Sequence, residues 1–479
     1  MQSATRTAVR TVRRGLSTES GEIALLKELL AKAAAREAEA AAAAKAAAAA
    51  EGGGNRFQVQ TFNAISNSGL QRFPPSAFML TGSSGSVPDG IQEEPHAILL
   101  RSHKLQPEEV SPTVRAIARC GAGTNNVPID AMTERGVPVF NTPGANANSV
   151  KELVLCGLLL ASRGILEGVH HVNAKIVPEE KSDHKAIAAR IEKDKKHFGG
   201  QELLGKTLGI CGLGNIGAMV AESALALGMN VVGHDPKLSV DAAWRLSSQV
   251  GRCESLEEVF EQADYVSINM PYIKGVTHHA ISADVLAKMK PTTHLLNFAR
   301  AEIVDGDALL RLYQNGHKGR YICDFADPHM QTHPSFICIP HLGASTEEAE
   351  DNCAAMAASQ VINFLETGTV VNSVNFPTAH LPSQGKEHTR LCIVNKNSPG
   401  VLGAITTLLG ERGVNIAQQL NTSRGDIGYN VLDLQEFPEG DAAEALQKDL
   451  GTLEGVLSTR LIWTGSVTEG PSNFYTTSA

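Results

Sequence analysis

The stretch Leu208-Gly-Ile-Cys-Gly-Leu-Gly-Asn-Ile-Gly217 decides the fold. An apolar segment typical of a buried strand runs directly into Gly212-x-Gly214-x-x-Gly217, and residues 218–227 have the composition of a helix. Strand, glycine-rich turn and helix in this order predict a unit that holds a dinucleotide's pyrophosphate at a helix N-terminus. The three glycines allow the tight turn, the close approach of the phosphates and the packing of helix on strand.

A second strand ends at Asp235, about 20 residues after the last glycine. A carboxylate at this position accepts hydrogen bonds from the ribose hydroxyls, favours NAD and repels a 2′-phosphate. A glycine-rich turn without a ligand would be the alternative for the glycines alone, but the surrounding strands, helix and acid argue against it. We therefore predict NAD as the cofactor, bound by Gly212, Gly214, Asn215, Ile216, Gly217 and Asp235.

Length and charge limit the class of protein. A chain of 479 residues is long enough for about three domains. The net charge of −9 and the lack of a basic stripe with interleaved aromatics exclude nucleic acid as a partner. The longest apolar run, residues 153–161, is too short to span a bilayer, so we expect no membrane segment. The eight cysteines form no CxxC pair and are interpreted as reduced core thiols, and no metal site is expected.

The first twenty residues have the composition of an organelle transit peptide, because four arginines stand among Ser, Thr, Ala and Val before the first acid at Glu19. A disordered basic tail of a cytosolic protein is the alternative. We expect a mitochondrial location, with the plastid as the alternative, since both kinds of leader share this composition. Residues 21–54 are predicted to be an alanine-rich helix with a glycine linker that acts as a spacer.

The rest of the chain alternates short strands and helices, a pattern typical of an α/β fold with parallel sheets. We predict two Rossmann-like doubly wound lobes, with the nucleotide-binding lobe (148–339) inserted into the substrate-binding lobe (55–147 and 340–378). Closure of the cleft between them would exclude water from the reacting carbon. Residues 387–466 follow the order βαββαβ, which predicts a ferredoxin-like module, and 467–479 form a loose tail.

Three polar clusters follow strands of the predicted nucleotide lobe. Arg300 follows residues 294–297, Asp324 and Asp327 follow a third strand, and His341 stands in Pro340-His341-Leu-Gly. A guanidinium can bind a carboxylate through two hydrogen bonds, and a histidine can carry the proton when a hydroxyl becomes a ketone. Singly, each has an ordinary explanation: an arginine beside a turn, a capping aspartate, a histidine bonded to a carbonyl. Together, after a dinucleotide unit, they predict an active site at the carboxyl ends of the strands.

From about residue 57 to 463 the sequence closely resembles the D-isomer-specific 2-hydroxyacid dehydrogenases. The resemblance rests on the dinucleotide turn, Arg300, His341-Leu-Gly-Ala-Ser-Thr, Arg101-Ser102, Gly121-Ala-Gly123-Thr-Asn-Asn-Val and Phe140-Asn-Thr-Pro-Gly-Ala-Asn146. The C-terminal unit is similar to an ACT domain through Asn397-Ser-Pro-Gly-Val-Leu and Gly413-Val-Asn415-Ile-Ala. Arg101-Ser102 together with this unit resembles the members that oxidise 3-phospho-D-glycerate to 3-phosphohydroxypyruvate, the first step of serine synthesis.

The resemblance implies a role for each matched residue. Arg300 would bind the substrate carboxylate, His341 would take the hydroxyl proton, and Asp324 would lie near the nicotinamide. Asp327 would orient His341, although the family usually has glutamate there, so the identity of this carboxylate partner stays open. Further substrate contacts are expected from Gly121 and Gly123 to the carboxylate and from Arg101, Ser102 and Asn146 to the phosphate.

The resemblance also implies regulation and assembly. Asn397 and Asn415 match the amide positions of the family's serine pocket, whereas its usual histidine is Asn395, so we expect weak binding of L-serine at an ACT dimer interface. A homodimer through the nucleotide lobes or a homotetramer through the ACT sheets is expected. Two alternatives stay open: a dehydrogenase for an unphosphorylated acid such as glycerate or hydroxypyruvate, and a non-catalytic, NAD-sensing scaffold of the corepressor type.

Overall fold

We describe a computed structural model of the chain. The structure describes residues 57–82, 94–181, 183–326, 333–382, 389–435, 441–463 and 475–476. The predicted transit peptide (1–20), the alanine-rich segment (21–54) and Asp327 lie outside the described residues.

The first lobe is built on a five-stranded parallel sheet in the order β2-β1-β3-β4-β5. Its strands are short and mostly buried on both faces, as expected for a doubly wound sheet. They are β1 (Phe57–Phe62), β2 (Phe78–Gly82), β3 (Ala97–Leu100), β4 (Ala116–Arg119) and β5 (Val139–Phe140). Between them lie α1 (Asn67–Leu70), a 3₁₀ turn (Pro107–Glu109) and α2 (Ile129–Glu134).

A long helix carries the chain into the second lobe. This helix, α3 (Ala147–Ser162), packs on the second sheet at Gly157, where a Cβ would lie 2.8 Å from Leu296 and 2.9 Å from Phe298. Further helical segments follow: α4 (Ile165–His171), a π turn (Val172–Ile176), α5 (Val177–Glu179), α6 (His184–Asp194) and a 3₁₀ turn (Lys195–His197). Among the described helices none is by itself long and apolar enough to cross a membrane, although the bent pair 147–162 and 165–179 passes that test on length and composition.

The second lobe contains a seven-stranded parallel sheet in the order β12-β11-β10-β9-β6-β7-β8. The strand order reverses between β6 and β9, and in such sheets ligands bind at this switch point, outside the carboxyl ends of the strands. The strands are β6 (Thr207–Cys211), β7 (Asn230–His234), β8 (Val250–Arg252), β9 (Tyr265–Ile268), β10 (His294–Asn297), β11 (Tyr321–Cys323) and β12 (Phe336–Cys338). Its helices are α7 (Asn215–Ala226), α8 (Val240–Arg245), α9 (Leu256–Gln262), α10 (Ala283–Leu286), a 3₁₀ turn (Ala301–Ile303) and α11 (Gly306–Gln314).

The helix α12 (Glu347–Thr367) returns the chain to the first lobe. The Thr346 hydroxyl caps it by accepting from the Ala349 N–H at 3.2 Å, and Gly368, with φ 71°, ends it in the left-handed conformation. Gly69 on α1 packs so closely that a Cβ there would lie 2.6 Å from the Ala354 backbone. The nucleotide lobe is therefore an insertion in the first lobe.

The C-terminal module follows the order βαββαβ around an antiparallel sheet, β14-β15-β13-β16-β17. This is the ferredoxin-like topology predicted from the sequence, and the α/β class with two parallel sheets is confirmed. Its elements are β13 (Thr389–Lys396), α13 (Val401–Glu411), β14 (Asn415–Arg424), β15 (Ile427–Gln435), α14 (Asp441–Gly451), β16 (Val456–Trp463) and β17 (Tyr475–Thr476). β17 pairs with β16 inside the segment predicted to be a loose tail.

Candidate active site

The glycine-rich turn after β6 has the geometry that a dinucleotide requires. Gly212 adopts φ 93°, and a Cβ there would lie 2.8 Å from the Met270 backbone nitrogen. Gly217 lies against the turn itself, since its Cβ would be 2.0 Å from the Gly212 carbonyl oxygen. At Gly214, by contrast, a Cβ would meet nothing within 4 Å, so space is open where the backbone faces a ligand. These glycines fit the pyrophosphate of NAD.

The ribose end of the site is held by Asp235 at the carboxyl end of β7. One carboxylate oxygen accepts from the Leu213 N–H and the other from the Lys237 N–H, each at 2.9 Å. Two backbone bonds fix the orientation of this carboxylate while leaving lone pairs for hydroxyl groups. Asn215 and Ile216 open α7, so their backbone N–H groups lie at the positive end of the helix.

Asp324, directly after β11, carries a buried carboxylate. The residue is 1% exposed, and neither oxygen makes a hydrogen bond of ordinary geometry to a described residue. Burial raises the pKa of this carboxyl above its usual value, and the positive charges of His341 and Arg300 oppose that shift. The backbone N–H groups of Gly343 and of Asp324 itself also favour the ionised form, although they do not reach good hydrogen-bond geometry. The carboxylate is therefore within electrostatic reach of both residues predicted to act on the substrate.

His341 and Arg300 both act electrostatically on this carboxylate. The imidazole of His341 is exposed, so it is accessible to a substrate in the cleft. Arg300 is partly buried and donates from Nη1 to the Ala299 carbonyl at 2.7 Å. Its Nη2 lies only 2.7 Å from the position of a Cβ on Gly123. The first lobe thus meets Arg300 through the glycine loop predicted to contact the same carboxylate.

A third guanidinium, Arg119, lies beside this loop and was not predicted from the sequence. Its Nε donates to the Arg101 carbonyl at 3.1 Å, and its Nη1 packs where a Cβ on Gly121 (φ 148°) would be only 1.5 Å away. Burial lowers the pKa of Arg119, and the charges of Arg101 and Arg300 lower it further. The sequence pattern that indicated Arg300 also applies to Arg119, because Arg119 ends an apolar strand and Arg300 follows one.

The predicted phosphate contacts lie at the carboxyl end of β3 and at the start of α3. Arg101 forms an ion pair with Glu350 on α12 at 2.6 Å, a contact that the sequence did not predict. The Ser102 N–H donates to the Asn63 Oδ1 at 3.1 Å, and the residue is exposed. Asn146 precedes α3, and its buried Oδ1 has no hydrogen-bond partner among the described residues.

The remaining predicted residues lie in the C-terminal module. Asn397 donates to the Gly425 carbonyl at 3.0 Å, and Asn415 donates to the Gln435 Oε1 at 2.7 Å. Asn395 is buried and accepts from the Asn430 amide at 2.7 Å. In the part of the chain that the structure describes, no group of three His, Cys, Asp or Glu side chains is arranged to hold a metal. A cleft of about 630 Å³ separates this module from the first lobe and shares no residue with the predicted active site.

Comparison with known proteins identifies the family of the chain. Residues 171–343 match the family model of the D-isomer specific 2-hydroxyacid dehydrogenase NAD binding domain. The chain is 32% identical over 384 residues to D-3-phosphoglycerate dehydrogenase of Escherichia coli K12, which covers 77% of this chain and 87% of the relative. The chain belongs to the D-3-phosphoglycerate dehydrogenase family. It is an NAD-dependent oxidoreductase, as the sequence predicted.

A second relative matches more of the chain, and two solved structures match about two thirds of it. The Dictyostelium discoideum enzyme is 28% identical over 428 residues, 85% of this chain and 98% of the relative. Among solved structures, an NAD⁺-bound 3-phosphoglycerate dehydrogenase of Entamoeba histolytica has a TM-score of 0.50 at 24% identity, covering 67% of this chain and 99% of that one. A glyoxylate/hydroxypyruvate reductase of Sinorhizobium meliloti has a TM-score of 0.54 at 20% identity, covering 67% and 98%. The two structures show that the fold is shared.

Proposed function

We propose that the chain oxidises 3-phospho-D-glycerate to 3-phosphohydroxypyruvate, the first step of serine synthesis. One observation carries the proposal: Arg101, Arg119 and Arg300 gather at the strand ends around the glycine loop. Among the described residues, neither Arg119 nor Arg300 forms an ion pair with a carboxylate. A substrate with both a carboxylate and a phosphate would supply the missing anionic partners.

Each residue then has a defined task in the reaction. The bound nicotinamide supplies the hydride acceptor. Arg300 grips the substrate carboxylate and polarises the neighbouring C2 atom, while Arg101 and Arg119 face the phosphate end. His341 accepts the hydroxyl proton as the C2–H bond breaks. The Asp324 carboxylate, already influenced by the His341 charge, stabilises the imidazolium that results.

The test is a side-by-side assay of NADH formation with 3-phosphoglycerate, D-glycerate and D-lactate. The proposal predicts the highest kcat/KM for 3-phosphoglycerate by at least about tenfold, since a buried or half-buried charge pair to phosphate contributes more than about 1.4 kcal/mol. Equal or better turnover of D-glycerate would overturn it.

One observation favours a second candidate, an unphosphorylated acid such as glycerate or hydroxypyruvate. The Glu350 carboxylate already pairs with Arg101 at 2.6 Å, so it competes for the guanidinium that would hold a phosphate. The same panel of substrates separates the two, because this candidate predicts that D-glycerate is used at least as well.

We further propose that L-serine binds weakly to the C-terminal module at Asn397 and Asn415. The ferredoxin-like topology and the two amide positions support this, but both amides already bond within the module, and Asn395 is committed to Asn430. Serine should therefore lower activity or shift the melting temperature only at high concentration, and Asn397→Ala should remove the effect. No effect at any serine concentration would refute the proposal.

We also propose that the chain forms a homodimer. Exposed apolar side chains on the helices that enter the nucleotide lobe support a homodimer: Leu159, Ile165, Leu166 and Val169 are 42–53% exposed. Light scattering on the purified chain tests the homodimer, and a monomer at micromolar concentration would contradict it.

We also propose that residues 1–20 direct the chain to the mitochondrion, with the plastid as the alternative. Imaging a fluorescent fusion of this segment tests the proposal.

A further inference from the structure

Two cysteines face one another beside the active site. Cys323 and Cys338 are directly paired across the parallel strands β11 and β12. Neighbouring strands lie about 4.8 Å apart, within the Cα separation that a disulfide bridges without backbone movement. Both thiols donate to the same acceptor, the Phe325 carbonyl oxygen, at 3.4 Å from Cys323 and 3.1 Å from Cys338. Both sulfur atoms therefore lie within 3.4 Å of the same oxygen atom.

The two thiols differ in access. Cys323 is 1% exposed, and burial raises its pKa to about 12, so it remains a thiol at neutral pH. Cys338 is exposed, because β12 is the edge strand of the seven-stranded sheet. Oxidants react with accessible cysteines first, and the nearest second thiol then resolves the product. Cys338 is the position that an oxidant reaches, and Cys323 is the resolving partner.

The pair lies at the point where the strands deliver the reactive side chains. Cys323 directly precedes Asp324, and Cys338 stands just before Pro340 and His341. A disulfide between the two cysteines would remove both hydrogen bonds to the Phe325 carbonyl. It would also change the distance between the ends of β11 and β12. Because catalysis depends on sub-ångström placement, such a change at Asp324 and His341 lowers turnover.

We propose that Cys323 and Cys338 form a reversible disulfide that lowers the activity of the enzyme under oxidising conditions. Hydrogen peroxide is the oxidant: the Cys338 thiolate attacks one peroxide oxygen, the O–O bond breaks, and sulfenic acid and hydroxide are formed. The Cys323 sulfur then attacks the Cys338 sulfur, the S–O bond breaks, and the Cys323 proton leaves with the hydroxide as water. Two thiols and one peroxide thus give one disulfide and two waters, and a dithiol reductant reverses the change.

The experiment treats the full chain with hydrogen peroxide, maps cross-linked peptides by mass spectrometry and measures NADH formation before and after dithiothreitol. We expect a Cys323–Cys338 peptide, a loss of turnover of about tenfold or more, and recovery on reduction. Cys338→Ser should retain its activity in peroxide. The matched control is Cys156→Ser, which removes the other exposed cysteine, on α3, and should stay as sensitive as the wild type.

The outcomes separate this inference from the proposed function. The effect on turnover rests on that function, whereas the cross-linked peptide is detected without any substrate. Absence of the peptide at peroxide concentrations that oxidise Cys156 would overturn the disulfide. A peptide formed in full with unchanged turnover would overturn its regulatory role, and so would sensitivity that disappears in Cys156→Ser but persists in Cys338→Ser.

Discussion

The C-terminal module and the active-site cleft both contain buried charged side chains, but these are paired in the module, whereas the buried carboxylate of the cleft is not. In the module, Arg390 and Asp433 are each 2% exposed at the side chain and form two hydrogen bonds at 2.6 and 2.9 Å. Arg390 also donates to the Thr367 carbonyl at 2.9 Å. In the cleft, Asp324 is as deeply buried yet has neither an ion pair nor a well-formed hydrogen bond among the described residues.

Hydrogen bonding distinguishes a charge that holds the fold from a charge that serves the site. A buried ion pair recovers its desolvation cost only through good geometry and full hydrogen bonding, which the Arg390–Asp433 pair has. Burial of an unpaired carboxylate lowers the stability of the folded protein. Such a group is typical of a functional site, where a ligand or a proton becomes its partner. The cationic side chains of the cleft are available to an anionic substrate, whereas the charges of the module hold the fold.

The largest effect is expected for His341→Ala. Without the imidazole, the hydroxyl proton has no acceptor in the cleft, so kcat should fall by about 10²- to 10⁴-fold. NADH binding, measured by fluorescence titration, should be unchanged because the dinucleotide turn is untouched. His170→Ala, an exposed histidine on α4, serves as the control. Turnover within a few-fold of the wild type would show that another group is the base.

The next effect is on stability and belongs to the module. Asp433→Ala leaves Arg390 buried without its partner, which should cost about 3–5 kcal/mol of unfolding free energy. Asp449→Ala breaks the exposed pair with Arg412 and should cost less than about 1 kcal/mol. Denaturant unfolding measures both. Equal losses of unfolding free energy in the two variants would contradict the expected difference between buried and surface ion pairs.

Asp324→Asn should have opposite effects on activity and stability. Because the folded-state pKa of Asp324 is raised, its ionisation costs stability as pH rises through that pKa, whereas below about pH 4 the carboxyl is protonated in both states. The melting temperature of the variant without cofactor should therefore match the wild type at acid pH and exceed it at pH 7. Turnover should fall. A lower melting temperature at pH 7 would mean that the carboxylate is a stabilising partner.

The smallest effect is expected for Glu350→Gln. The pair with Arg101 is 32% and 39% exposed, so its contribution is at most about 1 kcal/mol. Releasing Arg101 should lower the KM for 3-phosphoglycerate by up to about fivefold and leave that for D-glycerate unchanged. A raised KM for the phosphorylated substrate would indicate that Glu350 positions Arg101 instead of competing for it.

Most of the fold could be predicted from the sequence because its signals are local. Residues 97–100, 116–119 and 294–297 are short apolar runs of strand composition, and the structure places strands at these bounds. The short strand β8 (Val250–Arg252) and the edge strand β12 were not predicted, since Val-Gly-Arg and Phe-Ile-Cys are too short to show a period. β8 forms through pairing with the longer strand β7, and β12 forms through pairing with β11.

The site was less predictable wherever it depends on contacts between distant segments. The dinucleotide turn, Arg300 and His341 are recognisable one motif at a time. The pair Arg101–Glu350 joins residues from different lobe segments, and nothing local to Glu350 distinguishes it from the other acids at the start of α12. The facing thiols of Cys323 and Cys338 depend on the register of β11 and β12, which the sequence does not specify.

Whether the cleft recognises a phosphorylated substrate is decided by one ratio, kcat/KM for 3-phosphoglycerate over kcat/KM for D-glycerate, measured in the wild type and in Arg101→Ala. A cleft that holds its charges for a phosphorylated substrate predicts that the variant loses about tenfold to a hundredfold on 3-phosphoglycerate, as for a charge-assisted bond worth about 1.5–3 kcal/mol, and almost nothing on D-glycerate. Equal losses on both substrates would contradict the claim, because Arg101 would then support the structure of the cleft and not the recognition of phosphate.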